Sequence, residues 1–329
     1  MNELLNMSEA DLAALPKKDT RSGFGQGLLE LGSTHPNVVA MCADLTGSLK
    51  MNAFQDAFPD RFYQAGIMEA NMISVASGLT IGGKIPFTGT FANFSTGRVY
   101  DQIRQSVCYS DKNVKICASH CGVTLGEDGA THQILEDLGM MKMLPGMTVI
   151  HTCDYEQTRQ ATKAVADHVG PVYLRFGRPK MPMFTPVDTP FVIGKADQLM
   201  TGEHVTVIAT GHLVWEAVLA ARILAKDGIT VDLINMHTIK PMDIKAVLDS
   251  ARKTGAVVTA EEHQRAGGLG ESVAQVLCEH LPTPLRMVAV NDSFGESGTP
   301  AQLLAKYNLD AAAIVRQCEA VLSLKEARV

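Results

Sequence analysis

Short apolar and β-branched runs alternate with longer stretches of helical periodicity along most of this chain, and that alternation constrains the fold more than any other feature. Runs at residues 38–42, 62–64, 85–88, 114–118, 147–151 and 172–176 read as strands separated by helical patterns. Strands spaced in this way predict βαβ units, and so an α/β fold of two consecutive domains, each a mostly parallel sheet flanked by helices. The alternation breaks once. Between Arg178 and Pro190 the chain carries Pro179, Pro182, Pro186 and Pro190, and a residue without an amide hydrogen sustains neither a helix interior nor a central strand. Residues 181–190 are therefore expected to form a proline-rich linker between a first domain, residues 1–180, and a second, residues 191–329. In the second domain strands are expected at 205–210, 230–234, 256–261 and 285–290, with helices from about Leu213, Asp243 and Leu269.

Open α/β sheets hold their ligands in loops leaving the carboxyl ends of strands. Three loops of unusual composition lie there: residues 43–48, 66–69 and 120–132. Their convergence on one sheet edge is a site expectation that does not yet name a ligand. With 46% apolar residues, 19% charged residues and a net charge of −6, the composition offers no basic surface for nucleic acid or an acidic membrane. Small neutral or phosphorylated ligands fit better. No apolar run reaches the ~18 residues of a membrane span, and residues 1–9 lack the basic flank and apolar stretch of a secretion signal, so a cytoplasmic protein is expected. The seven cysteines are odd in number and sit mostly in apolar runs, which predicts reduced, buried thiols. Cys117, His120 and Cys121 with His151 or Cys153 would make four zinc ligands, but structural zinc uses tighter spacing, and no metal ligand is assigned.

Two glycine motifs mislead. Gly78-Leu79-Thr80-Ile81-Gly82-Gly83-Lys84 has the spacing of a phosphate-binding loop as far as its lysine. Ile85 follows, with no hydroxyl for magnesium, and the segment ends a helix where a phosphate loop should open one. Gly267-Gly268-Leu269-Gly270 suggests a dinucleotide loop, yet the third glycine of that pattern falls on Val273. A tight turn into a helix is the reading adopted.

The residues able to do chemistry cluster elsewhere. Glu69 in Gly66-Ile67-Met68-Glu69 opens a helix whose next turns are small and apolar; an acid there commonly only offsets the helix dipole. Thr90-Phe91-Ala92-Asn93-Phe94 places two rings near a strand end, by default as core. Ser119-His120-Cys121-Gly122-Val123-Thr124-Leu125-Gly126-Glu127-Asp128-Gly129-Ala130-Thr131-His132-Gln133 crowds two histidines and two acids into a glycine-punctuated loop. Histidine, with an unperturbed pKa of about 6.5, gives or accepts a proton near neutrality.

These segments, with Ala43-Asp44-Leu45-Thr46-Gly47-Ser48, resemble transketolase. The resemblance covers nearly the whole chain, but only the C-terminal half of the usual transketolase polypeptide, and it implies a pyrimidine-binding domain followed by a C-terminal domain. It implies that Glu69 meets the aminopyrimidine of thiamine diphosphate and exchanges the proton that activates the cofactor. Phe91 and Phe94 are then the aromatic wall of that site. Many transketolases place a further aromatic where this chain has Gly97, and Tyr100 is its nearest substitute. The resemblance further implies that His120, Asp128 and His132 contact sugar hydroxyls, with His132 transferring a proton and Asp128 holding a hydroxyl. Arg21, Ser48, His120 and Arg178 match positions that bind the sugar's phosphate, for which arginine's planar fork is suited. Arg175 competes for that role, but Arg178 aligns better.

Thiamine enzymes of this kind hold the diphosphate through Mg2+ in a domain marked by Gly-Asp-Gly. This chain has none, and Gly126-Glu127-Asp128-Gly129 places its acids inside the substrate loop. The resemblance thus implies a partner, an N-terminal transketolase subunit carrying that motif and the Mg2+, with thiamine diphosphate shared and two copies of each chain. The implied activity is transfer of a two-carbon ketol unit between sugar phosphates. The rivals are the β subunit of a 2-oxo acid dehydrogenase first component, half of a deoxyxylulose phosphate synthase and, from another class, a non-catalytic α/β binding or regulatory subunit. The two histidines and the phosphate-binding set favour transketolase.

Overall fold

The computed structural model describes residues 3–327. A seven-stranded sheet runs in the order Thr238–Lys240, Thr148–His151, Val172–Arg175, Lys115–Ser119, Ile85–Phe91, Val38–Cys42, Phe62–Gln64. Every neighbouring pair is parallel except the first. A five-stranded sheet follows, ordered Leu285–Val290, Val257–Gln264, Val205–Ala209, Val231–Asn235, Asp197–Met200, again parallel but for its last pair. Val38–Cys42, Lys115–Ser119, Val172–Arg175 and Val205–Ala209 are buried along their whole length, as continuous apolar runs in a parallel sheet covered on both faces require. The helices Leu213–Lys226, Ile244–Thr254 and Leu269–His280 start within a residue of the positions expected.

Four short strands escape the sequence pattern. Lys17–Asp19 and Lys180–Pro182 form a separate antiparallel ribbon; prolines bar a central strand but not the end of an edge strand. Asp197–Met200 closes the edge of the second sheet. Thr238–Lys240, from the second half of the chain, pairs antiparallel with Thr148–His151 and so becomes the edge of the first sheet. The apolar core also crosses between halves: Ile73, Ile116 and Tyr173 belong to one buried cluster with Ile208, Ile234 and Val273.

Both glycine motifs have structural explanations. Gly82 and Gly83 end the helix Glu69–Ile81, ahead of the strand Ile85–Phe91. At Gly267–Gly270 the Glu261 carboxylate accepts hydrogen bonds from Leu269 N at 2.7 Å and Gly270 N at 2.8 Å. A protein carboxylate thus satisfies the helix terminus that a phosphate would otherwise occupy.

Candidate active site

The first sheet reverses its direction of growth at Val38–Cys42. The chain runs from this strand to Phe62–Gln64 on one side, then returns to Ile85–Phe91 on the other. Connections that part in this way open a crevice at the carboxyl ends of the strands. The loops after Cys42, Phe91 and Ser119 border it, and two of their residues, Asp44 and His120, have φ of 58° and 59°. That left-handed conformation is uncommon outside glycine and collects at functional sites.

Glu69 is the first residue of its helix and only 4% exposed. Its Oε1 accepts a hydrogen bond from Arg98 Nη1 at 3.1 Å. The Arg98 guanidinium lies 4.1 Å from the Phe94 ring centre, Phe94 stacks with Phe91 at 5.8 Å, and Phe91 stacks on His120 at 3.7 Å. His132 stands edge-on to both phenyl rings, at 6.5 Å and 5.5 Å. Glu69, Phe91, Phe94, His120 and His132 are therefore linked, through Arg98, in one cluster of side chains. Tyr100 packs against the apolar core, and the group over Phe94 is Arg98, which the sequence reading did not single out. Phe94 lies in the short helix Ala92–Ser95 and Arg98 in the following 3-10 turn Gly97–Val99, with Thr96 non-helical between them, so no single-helix spacing announced the cation–ring contact.

Cationic groups gather on the other side of His120. Asp19 caps the helix Thr20–Thr34 through Ser22 N and also accepts from Arg21 Nε at 3.1 Å. Arg21 Nη1 donates to Ser48 O at 3.0 Å, bringing the loop after Val38–Cys42 to the arginine. Arg178 Nη1 donates to Leu125 O at 2.7 Å and pairs with Glu127 at 2.6 Å. Burial, reinforced by Arg21, Arg178 and His132, pushes the His120 pKa down to about 2, so this ring is neutral at physiological pH. Asp128 is exposed. Arg175 is not in the cluster; it is fully buried in a bidentate pair with Asp137 at 2.6 and 3.1 Å.

The second sheet has its own reversal, between Val205–Ala209 and Val257–Gln264, and there the crevice is filled by the first half of the chain. His212 lies against Gly177, His151 against Gly211, and Glu262 against Gly122. Arg175 Nη2 donates to Glu262 O at 3.1 Å and Nη1 contacts His151 Nε2 at 3.0 Å. Of the cysteine-histidine set considered for zinc, Cys121 and His151 meet, Sγ to Nε2 at 3.7 Å. Cys121, His151 and Glu262 bring ligand atoms within 4.8 Å of one another, but Arg175 faces His151, and a second cation there would be repelled. All seven cysteines are free.

Residues 16–183 match the family model described as the transketolase pyrimidine binding domain, and residues 194–314 the transketolase C-terminal domain. The chain is 42% identical over 303 residues to the "Putative transketolase C-terminal section" of Methanocaldococcus jannaschii, covering 91% of this chain and 95% of that one. It is 44% identical over 301 residues to the "6-deoxy-6-sulfo-D-fructose transketolase subunit SqwH" of a Clostridium species, covering 92% and 94%. Among solved structures, "Split gene transketolase, inactive beta4 tetramer" superposes with a TM-score of 0.88 at 46% identity, over 93% of this chain and 99% of that one.

Proposed function

The chain belongs to the transketolase family, and we propose that it works as the C-terminal subunit of a two-chain transketolase, moving a two-carbon ketol unit between sugar phosphates in the cytoplasm. Residues 1–180 would form the pyrimidine-binding domain, 181–190 the linker and 191–329 the C-terminal domain. The observation that carries the reading is the meeting, around His120, of an acid-and-aromatic set with a cationic set.

The family depends on thiamine diphosphate, which when bound supplies a carbon nucleophile and an electron sink. The cluster fits its pyrimidine end: stacked phenyl rings offer a flat apolar wall, and Arg98 engages Oε1 of Glu69, leaving Oε2 for a ring nitrogen. In this reading Glu69 exchanges the proton at that nitrogen, while Phe91 and Phe94 orient the ring and exclude water. His132 moves a proton at the donor's hydroxyl. His120, neutral, hydrogen-bonds the sugar, and Asp128 holds a hydroxyl. Arg21, Ser48 and Arg178 bind the phosphate. The diphosphate and Mg2+ fall to an N-terminal subunit bearing Gly-Asp-Gly, with two copies of each chain. The relatives' names, a C-terminal section, a subunit and an inactive tetramer of one chain type, support a shared site.

The test is reconstitution. Calorimetry with thiamine diphosphate and Mg2+ should find no tight binding by this chain alone, and no ketol transfer; adding the Gly-Asp-Gly subunit should restore both. In the pair, Glu69→Gln should lower kcat by at least ~100-fold with the circular dichroism unchanged. Tight binding or transfer by the isolated chain, or near wild-type turnover in the variant, would refute the reading.

A further inference from the structure

We propose that Glu262, a carboxylate contributed by the second domain, is a positioning residue that holds the substrate loop of the first domain in its working shape. The inference rests on the transketolase reading of that loop. Glu262 is fully buried, and a buried carboxylate is costly unless donors compensate it. Both of its loop donors come from one residue: Thr124 N and Thr124 Oγ1 donate to Oε2 at 3.1 and 2.8 Å. Gly122, at φ 70°, lets the carboxylate sit where a Cβ would be. Thr124 lies in the single turn Val123–Leu125, which ends at Gly126 with φ 96°. Fixing Thr124 therefore fixes the next carbonyl, Leu125 O, which accepts from the phosphate-side Arg178 at 2.7 Å. One path of hydrogen bonds thus runs from the second domain through Glu262 and Thr124 to Arg178. Groups that fill the crevice of the second sheet shape the loop of the first.

Hydrogen–deuterium exchange on the full chain tests the tether without reference to activity. Glu262→Ala should accelerate amide exchange in residues 122–133 by roughly tenfold or more, with the strand Val38–Cys42 unchanged. Glu262→Gln, which keeps an acceptor oxygen, should retain most of the protection. Thr124→Val, which removes only the hydroxyl donor, should fall between them and serves as the readout if Glu262→Ala does not fold. In the reconstituted enzyme the loosened variants should raise sugar KM and lower kcat at unchanged cofactor affinity, with Glu262→Gln restoring both. Unchanged loop exchange in Glu262→Ala and Thr124→Val overturns the proposal, as does a loosened loop with wild-type kinetics. If the wild-type pair shows no ketol transfer, the functional reading fails, and the exchange result alone decides the tether.

Discussion

In the proposed reading Arg178 has two tasks, bracing the loop and binding the sugar phosphate. It braces Leu125 O and pairs with the exposed Glu127, so a sugar phosphate would displace a solvated partner and leave the backbone bond in place. Contacts to a phosphate remote from the reacting carbon contribute mainly uniform binding. Arg178→Ala should therefore raise KM for phosphorylated sugars about tenfold or more while kcat changes little; a collapsed kcat at unchanged KM in steady-state assays would misplace the residue. Glu262 carries a different signature. Burial raises its pKa from 4.5 to about 7, so the folded state holds the proton more tightly than the unfolded one. Its contribution to stability is full below pH 4.5 and is lost as pH rises through about 7. Between about pH 5 and about pH 8 the melting temperature of Glu262→Gln should rise relative to wild type by a few degrees. Arg175, Asp137 and His212 face the same carboxyl, His212 Nδ1 at 3.6 Å, and burial beside Arg175 lowers the His212 pKa to about 3, so that ring is neutral across this range. A constant gap across that range, measured by differential scanning fluorimetry, would show that the carboxyl does not titrate there.

At the scale of elements, the helix Thr20–Thr34 that presents Arg21 is held by close packing on Tyr155–Asp167. Glycine makes the approach possible: a Cβ on Gly27 would lie 2.7 Å from Arg159 O and 2.9 Å from Thr162 Cβ. Alanine gains about 1 kcal/mol over glycine in a helix interior. A backbone oxygen at that distance does not yield as a flexible side chain does, and overpacking costs about 1–3 kcal/mol. The clash should win. Gly27→Ala is expected to lower the melting temperature by a few degrees, and a rise would show that the helices separate freely.

The whole molecule is knitted by the strand Thr238–Lys240, which completes the first sheet, and by an apolar cluster and a buried polar network shared between the halves. Because each half contributes structure that the other needs, the chain should melt in one calorimetric transition with matching calorimetric and van't Hoff enthalpies. Two resolved transitions would mean that the halves are thermodynamically independent.

Local pattern alone determined the buried parallel strands and the loops after them, because such strands are continuous apolar runs that need no distant partner to be recognised. The residues around His120 were legible through family resemblance: on residue type alone Glu69 reads as a helix-dipole acid and Phe91 and Phe94 as core, and it is the short motifs that hold them, each readable within one segment, that carry the likeness. Tertiary structure decided what depends on contact between distant segments. Thr238–Lys240 is too short to announce itself, and its partner strand lies far away in the sequence. Arg98 becomes part of the site only when the turn after Phe94 brings it onto Glu69. Glu262 reads as one acid of a pair at a strand end until folding carries it against Gly122 and Thr124, where a buried carboxylate with two donors from one residue can shape a loop it does not belong to.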